Sequence, residues 1–317
     1  MVNQEFDIVG IGNAIVDVIT DVNDEFLNQQ DLRKGLMSLV DLDSIKTLSR
    51  KIEIKANISG GSVANSIVAL AQNNINTAFI GKVGEDEVGN SFIKGLEKEK
   101  IFFANKARSD ESETGRCLVM VTPDAQRTMS TYLGISQKLN ANDINQDVIS
   151  HSTITYLEGY LWDLDDAQKA IKKAIKIAKD AGKLVAFSVS DVFCIERFRD
   201  SFLDLVNHEA NIIFANEQEI KSLYQKDNLK DCLKIIKQHN KIFAITLGDK
   251  GAIIIHKDEV TEIKAQRIEK LIDTTGAGDL FAAGFLLGYI KGKNLEYCGK
   301  EGVKFASKII QIYGARL

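Results

Sequence analysis

The sequence predicts an α/β protein in three α/β/α layers, with a mostly parallel central sheet covered by helices on both faces and a small β lid. Three observations carry that expectation. Short β-branched or aromatic runs alternate with longer helical patterns along most of the chain. Residues able to carry chemistry cluster just after the short runs. Two segments, near 17–40 and 108–135, break the alternation in favour of strand-like patterning. At 317 residues the chain can bury one large core, and no proline-rich or low-complexity linker divides it. A single domain over 1–317 with an inserted lid is therefore expected.

The strand-like runs are Phe6–Ile11, Thr77–Ile80, 153–157, Leu184–Ser188, 212–215, 243–247 and Ala252–His256. Helical stretches fall between them at 62–74, 87–99, 165–181, 218–224, 229–239, 278–291 and 296–312. In 165–181, Ala167, Ala170, Ile171, Ala174, Ile175 and Ala178 recur at helical spacing while lysines fill the opposite face. That is the pattern of a helix lying on a sheet. Alternation of this kind implies parallel strands buried on both faces, with ligands bound beyond their carboxyl ends. Gly12, Asn13, Gly81, Gly159, Asn216 and Gly248 stand just there. In the second lid segment, residues 117–122 run into the turn Pro123-Asp124, which reads as a hairpin.

Bulk properties exclude several classes. A net charge of −4 and a pI near 5.7 give no general attraction to nucleic acid or anionic membrane, so any anion site must be local. No apolar run approaches the ~20 residues needed to cross a bilayer. Residues 1–7 lack a basic segment followed by an apolar stretch, and a cytoplasmic location is expected. Cys117, Cys194, Cys232 and Cys298 are scattered without metal-type spacing and read as inert thiols.

The segment Asp273-Thr274-Thr275-Gly276-Ala277-Gly278-Asp279 opens an apolar helix on two glycines. Glycines let consecutive N–H groups converge, and the helix N-terminus adds orphan donors and positive potential. Such donors suit a transferring phosphoryl group, and Asp279 can take a proton from a hydroxyl. The plainer reading is a glycine-rich cap with Asp279 favoured by the helix dipole. Other phosphate signatures fail: there is no Gly-x4-Gly-Lys-Ser/Thr, and Ile15 replaces the third glycine after Gly10-x-Gly12.

This segment resembles the C-terminal signature of the ribokinase-like (PfkB) carbohydrate and nucleoside kinases. The N-terminal signature has its counterpart in Ser59-Gly60-Gly61-Ser62-Val63-Ala64-Asn65, followed by Gly81 and Gly89. Asn216-Glu217-Gln218-Glu219 and Thr246-Leu247-Gly248-Asp249-Lys250-Gly251 resemble two further motifs of the family, in the same order. The resemblance implies a ribokinase-like fold, ATP as donor, Asp279 as catalytic base and the amides of Gly276, Ala277 and Gly278 as an anion hole. It implies that Asn216 and Glu219 organise Mg²⁺ through water, although Asn and Glu three apart also fit a helix capping box. Thr246, Gly248, Gly251 and Thr275, with Asn216 and Gly278, would line the ATP site, and 304–307 with Gly314-Ala315 would flank the adenine. Asp273 lies where some members of the family hold K⁺.

On the acceptor side, Gly12-Asn13-Ala14-Ile15-Val16-Asp17 resembles the family's first substrate motif. There Asp17 would accept from adjacent hydroxyls beside Asn13 and Asn65, and Gly60 and Gly61 would allow close approach and lid hinging. The Asn13–Asp17 spacing and the stretch 124–134 are similar to bacterial adenosine-kinase-like members, in which Arg127 falls near the transferring phosphate. A solvated hairpin arginine is the plainer reading of Arg127. Tyr160 and Phe193 match positions that stack a purine, and Leu36, Met37 and Leu133 would complete an apolar pocket. Trp162 and Leu36 also read as ordinary core residues. The expectation is phosphorylation of the 5′-hydroxyl of adenosine; guanosine or inosine is an intermediate possibility, and ribose or a ketohexose the sugar-kinase alternative. A regulatory nucleotide-binding protein without catalysis would not need Asp279, the anion hole and the Asn216/Glu219 pair together. A lid can be a cover or a dimer interface, which leaves monomer and homodimer both open.

Overall fold

The computed structural model describes residues 5–109, 112–124 and 126–317. Residues 1–4, and Asp110, Glu111 and Ala125 of the second lid segment, lie outside the described residues. The strands are β1 (Phe6–Ile11), β2 (Ile15–Asp21), β3 (Met37–Leu39), β4 (Ala56–Gly60), β5 (Thr77–Ile80), β6 (Phe102–Phe103) and β7 (Gly115–Val121). They continue with β8 (Arg127–Tyr132), β9 (Ser152–Glu158), β10 (Leu184–Ser188), β11 (Ile212–Asn216), β12 (Ile242–Thr246), β13 (Ala252–His256) and β14 (Glu259–Ile263).

The large sheet has nine strands in the order β14-β13-β12-β11-β10-β9-β1-β5-β6. From β12 to β6 every pairing is parallel, and β13 and β14 add an antiparallel edge. Side chains alternate across the pleat into two cores. Ile8, Tyr156, Ala186 and Phe214 face one of them, with helices Ser62–Ala71, Ala277–Ile290 and Leu295–Ile309. Val9, Leu157, Phe187 and Ile213 face the other, with helices Asp165–Asp180 and Val192–Asp204. The three-layer α/β/α architecture is thus present, and among the described residues no helix is long and apolar enough to cross a membrane.

The small sheet has five strands in the order β3-β8-β7-β2-β4. It reaches residue 60 instead of stopping near 40, because β4 pairs antiparallel with β2. With Ile58 as its one large apolar residue, β4 is too short and too weakly apolar to stand out in the sequence. One face of the small sheet, with Val16, Val18, Leu118 and Met120, packs into the first core. The opposite face, with Ile15, Asp17, Ile19, Val119 and Met129, looks onto the ends of the large sheet. Helix Val192–Asp204 also escaped the sequence pattern. Its amphipathic repeat is interrupted at Phe198, where the backbone leaves helical geometry, and Asp191 caps its start through a hydrogen bond from the Phe193 N–H (2.7 Å).

Candidate active site

Two helices point their N-termini at the gap between the sheets, and both begin on a glycine without a side-chain cap. Gly61 has φ +104° and Gly276 φ +74°, a region that L side chains rarely adopt. A Cβ on Gly61 would collide with the Asn13 carbonyl, and one on Gly276 would come within 2.7 Å of the Ala315 side chain. Gly278 differs: a Cβ there meets nothing within 4 Å, so its glycine leaves room in the cavity itself. The Ala277 N–H already donates to the Thr274 carbonyl (3.2 Å), so the anion-hole amide expected there is shared with the turn.

The gap is a cavity of about 1020 Å³, at the upper end of the roughly 300–1,000 Å³ usual for one small-molecule ligand. It has room for a donor and an acceptor side by side. Of the residues given a catalytic, acceptor-binding, ATP-binding or magnesium role from the sequence, all but Gly60, Asn65 and Gly251 line it. Gly60 stands just behind Asp17, whose carboxyl carbon would lie 2.6 Å from an added Cβ. Asn65 lies behind Asp279. Gly251, expected at the ATP site, instead makes the β12–β13 turn at φ +101°, where a Cβ would press on the backbone of Ile263 and Ala265. Its conformation serves the hairpin.

Asp279, in the first turn of helix Ala277–Ile290, is held at both oxygens. Ser62 Oγ donates to Oδ1 (2.6 Å) and Asn65 Nδ2 to Oδ2 (3.0 Å), while Ser66 Oγ ties down the Asp279 carbonyl (2.8 Å). Burial raises its carboxyl to about 6, against the lowering effect of the Asn65 and Ser62 bonds. Asp17 is raised to about 7, again chiefly by burial, with Arg316 the main influence in the opposite direction. Asn13 lines the cavity, but its amide is engaged: Nδ2 donates to Glu158 Oε1 (2.9 Å) and Oδ1 accepts from Ser136 Oγ (3.0 Å).

Sequence reasoning gave no role to Glu158, Ser62 and Arg316. Glu158 ends β9 and is 1% exposed. It accepts from Asn13 N, Asn13 Nδ2 and Val63 N, each at 2.9 Å, and so clamps the end of β1 to the start of helix Ser62–Ala71. A buried acid at a strand's carboxyl end was its available signal. Arg316 had none, because only the fold brings it 251 positions back to Asn65.

Arg127 is not a solvated hairpin residue. It is 8% exposed, lines the cavity and forms an ion pair with Asp273. Asp273 also accepts from Thr275 N (2.9 Å) and Gly314 N (2.9 Å), which ties the small sheet, the loop before helix Ala277–Ile290 and the segment around 314 together. Asn216 and Glu219 form the capping box, with Asn216 Oδ1 accepting from Glu219 N (2.9 Å) and Glu219 Oε2 from Asn216 N (2.8 Å). Both still face the cavity. Burial raises Glu219 to about 7.

Tyr160 and Phe193 stand on one wall, Tyr160 donating its hydroxyl to Ser190 O (3.1 Å) and Phe193 lying 4.6 Å beneath the Arg197 guanidinium. Leu36, Met37 and Leu133 join the lid side. Leu36 is 52% exposed and so is no core residue, whereas Trp162 is buried at 1% and packs edge-on against Phe202. Gly314 and Ala315 line the cavity beside Gly276, but 304–307 do not.

The chain matches the model of the pfkB family of carbohydrate kinases over residues 44–317. A probable sugar kinase from Rhizobium etli has a solved structure that superimposes with a TM-score of 0.92 at 38% identity, over 99% of this chain and 95% of that one. The adenosine kinase of Sinorhizobium meliloti superimposes equally well, with a TM-score of 0.92 at 37% identity over 99% and 96%. The adenosine kinase of Saccharomyces cerevisiae is 26% identical over 97% of this chain and 95% of its own. A glycine-capped helix facing a cavity that holds Asp279, together with these likenesses, leads to one conclusion: the chain belongs to the pfkB family and is a phosphotransferase acting on an alcohol group.

Proposed function

We propose that this kinase transfers the γ-phosphoryl group of ATP to the 5′-hydroxyl of adenosine. The carrying observation is that Asp279, in the first turn of a helix without a side-chain cap, lines one cavity with Tyr160, Phe193 and the apolar lid face. Each Asp279 oxygen accepts one bond within the protein and keeps a second lone pair for an acceptor hydroxyl. An acceptor hydroxyl in that position gives its proton to the carboxylate as its oxygen bonds to the γ-phosphorus. The bond from that phosphorus to the β–γ bridging oxygen breaks, and ADP leaves.

The amides around Gly276 and Gly278, with Arg127, face the charge on the moving phosphoryl group. Asp17 receives the adjacent hydroxyls of the ribose, and the purine covers the aromatic wall. Thr246, Gly248 and Thr275 border the ATP side. Asn216 and Glu219 fit a magnesium ion through water only, because both Glu219 oxygens already accept from Asn216. A magnesium ion held there would supply neutralisation of phosphate charge. The positive charge beside Asp273 is Arg127, with which K⁺ would have to compete.

A sugar acceptor is the second reading, favoured by the likeness to the Rhizobium etli probable sugar kinase. ATP consumption against adenosine, guanosine, inosine, ribose and fructose separates the two. Adenosine should give the highest kcat/KM, and a preference for ribose or fructose would remove the argument from the aromatic wall. Asp279→Asn should lower kcat about 10³-fold with nucleoside binding little changed; retained turnover would remove Asp279 as the base.

A further inference from the structure

The residues after helix Leu295–Ile309 fold back beneath the phosphate loop. Gly314 N donates to Asp273 Oδ2 (2.9 Å), and Ala315 packs against Gly276. These two contacts deliver the next residue, Arg316, to Asn65. Its Nε donates to Asn65 Oδ1 (3.3 Å), and the other end of the same carboxamide, Nδ2, donates to Asp279 Oδ2 (3.0 Å).

The chemistry of the three groups permits one arrangement. A guanidinium only donates and an ionised carboxylate only accepts, so the carboxamide between them must turn its oxygen to Arg316 and its NH₂ to Asp279. Without the arginine, a flip of Asn65 would put a carbonyl oxygen against a carboxylate. Arg316 is not among the residues lining the cavity, so it acts on the ligand only through others. Its Nη2 is buried without a hydrogen-bond partner, a costly way to fill space that an apolar residue would fill more cheaply.

We propose that Arg316 is a positioning residue for phosphoryl transfer: it locks the Asn65 carboxamide so that its NH₂ holds Asp279 ionised and aimed at the acceptor hydroxyl. The inference rests on Asp279 being the base. The ionisation behaviour agrees with it. The Asn65 bond heads the influences that lower Asp279 against burial, and Arg316 heads those that lower Asp17. The other titratable groups facing this cluster are Arg127 of β8, Tyr156 and Glu158 of β9, Tyr160 just after it, and Glu99, just after helix Glu87–Lys98.

The test compares pH profiles of kcat for the parent enzyme, Arg316→Gln, Arg316→Lys and Asn65→Ala. Arg316→Gln should lose about tenfold in kcat at pH 7 and move the acid limb up by about one pH unit, with the KM for ATP unchanged. Arg316→Lys, which like the arginine can only donate whereas glutamine can also accept, should recover part of both effects. In the double variant, Arg316→Gln should add little to the kcat loss of Asn65→Ala, because the arginine acts on Asp279 through that amide, while its charge beside Asp17 bears on the KM for the acceptor. A parental acid limb in Arg316→Gln, an equal loss at every pH, or full additivity with Asn65→Ala would each overturn the proposal. Should Arg316→Gln not fold, the acid limb of Arg316→Lys decides: unmoved, it overturns the proposal; moved partway, it supports it. If Asp279→Asn is inactive while Arg316→Gln keeps the parental profile, this inference falls and the assignment of the base stands. If Asp279→Asn stays active, both fall.

Discussion

Two acids set the working pH of the site. Burial holds Asp279 near 6 and Asp17 near 7, both above the ordinary carboxylate range. In the proposed reaction each must be ionised, Asp279 to take the proton and Asp17 to accept from hydroxyls. Raised values mean that both are progressively protonated as pH falls from 8 to 5, so kcat/KM should fall with them. Below about pH 6 the logarithmic slope should approach two, since two protons then block the free enzyme. Asp17→Asn should be weakly active and retain a slope of one, carried by Asp279. A parental profile that stays flat to pH 5 would show that neither acid titrates in the working range. Arg316 and Asn65 tune this limb from behind.

At the scale of elements, the small sheet is fastened to the loop before helix Ala277–Ile290 by β8. Its first residue, Arg127, reaches Asp273, which also gathers the N–H groups of Thr275 and Gly314. Arg127→Met leaves Asp273 buried with only those two donors. Amide exchange in β7 and β8 should then quicken while β9 to β12 keep their protection; unchanged lid exchange would show that other contacts hold the small sheet down. Much of this element plan was legible in the sequence. Each parallel strand of the large sheet except two-residue β6 is a short apolar run, and the glycine signatures sit at the helix starts that face the cavity. Illegible were elements whose order comes from partners. β4 is a strand because β2 is beside it, and β3 because β8 is. Helix Val192–Asp204 has its periodicity broken at Phe198. Within the site, Asp279 and Asp17 could be read from local motifs. Glu158 and Arg316 could not, since their roles arise from contacts with residues 95 and 251 positions away.

For the whole molecule, the small sheet packs one face into the core and turns the other toward the cavity. Met37 and Leu39 of β3 are 45% and 48% exposed, and they continue the apolar wall of Ile15, Ile19, Val119 and Met129 above the strand ends. Such a face is costly to leave wet, and an acceptor that covers it ties the small sheet to the large one. Adenosine has a flat apolar ring to lay on this wall; ribose has none. Binding of adenosine should therefore show the more negative heat-capacity change, the mark of apolar burial. At about a hundredfold excess over Kd, a ligand that binds only the folded state stabilises it by about 2.7 kcal/mol. For a chain of this length that is a rise in Tm of about 5 °C. With each ligand at the same multiple of its own Kd the Tm rise should be similar for both, so the heat capacity separates them. Calorimetric titration at several temperatures measures it directly, and equal values for adenosine and ribose would mean that the purine never reaches the lid.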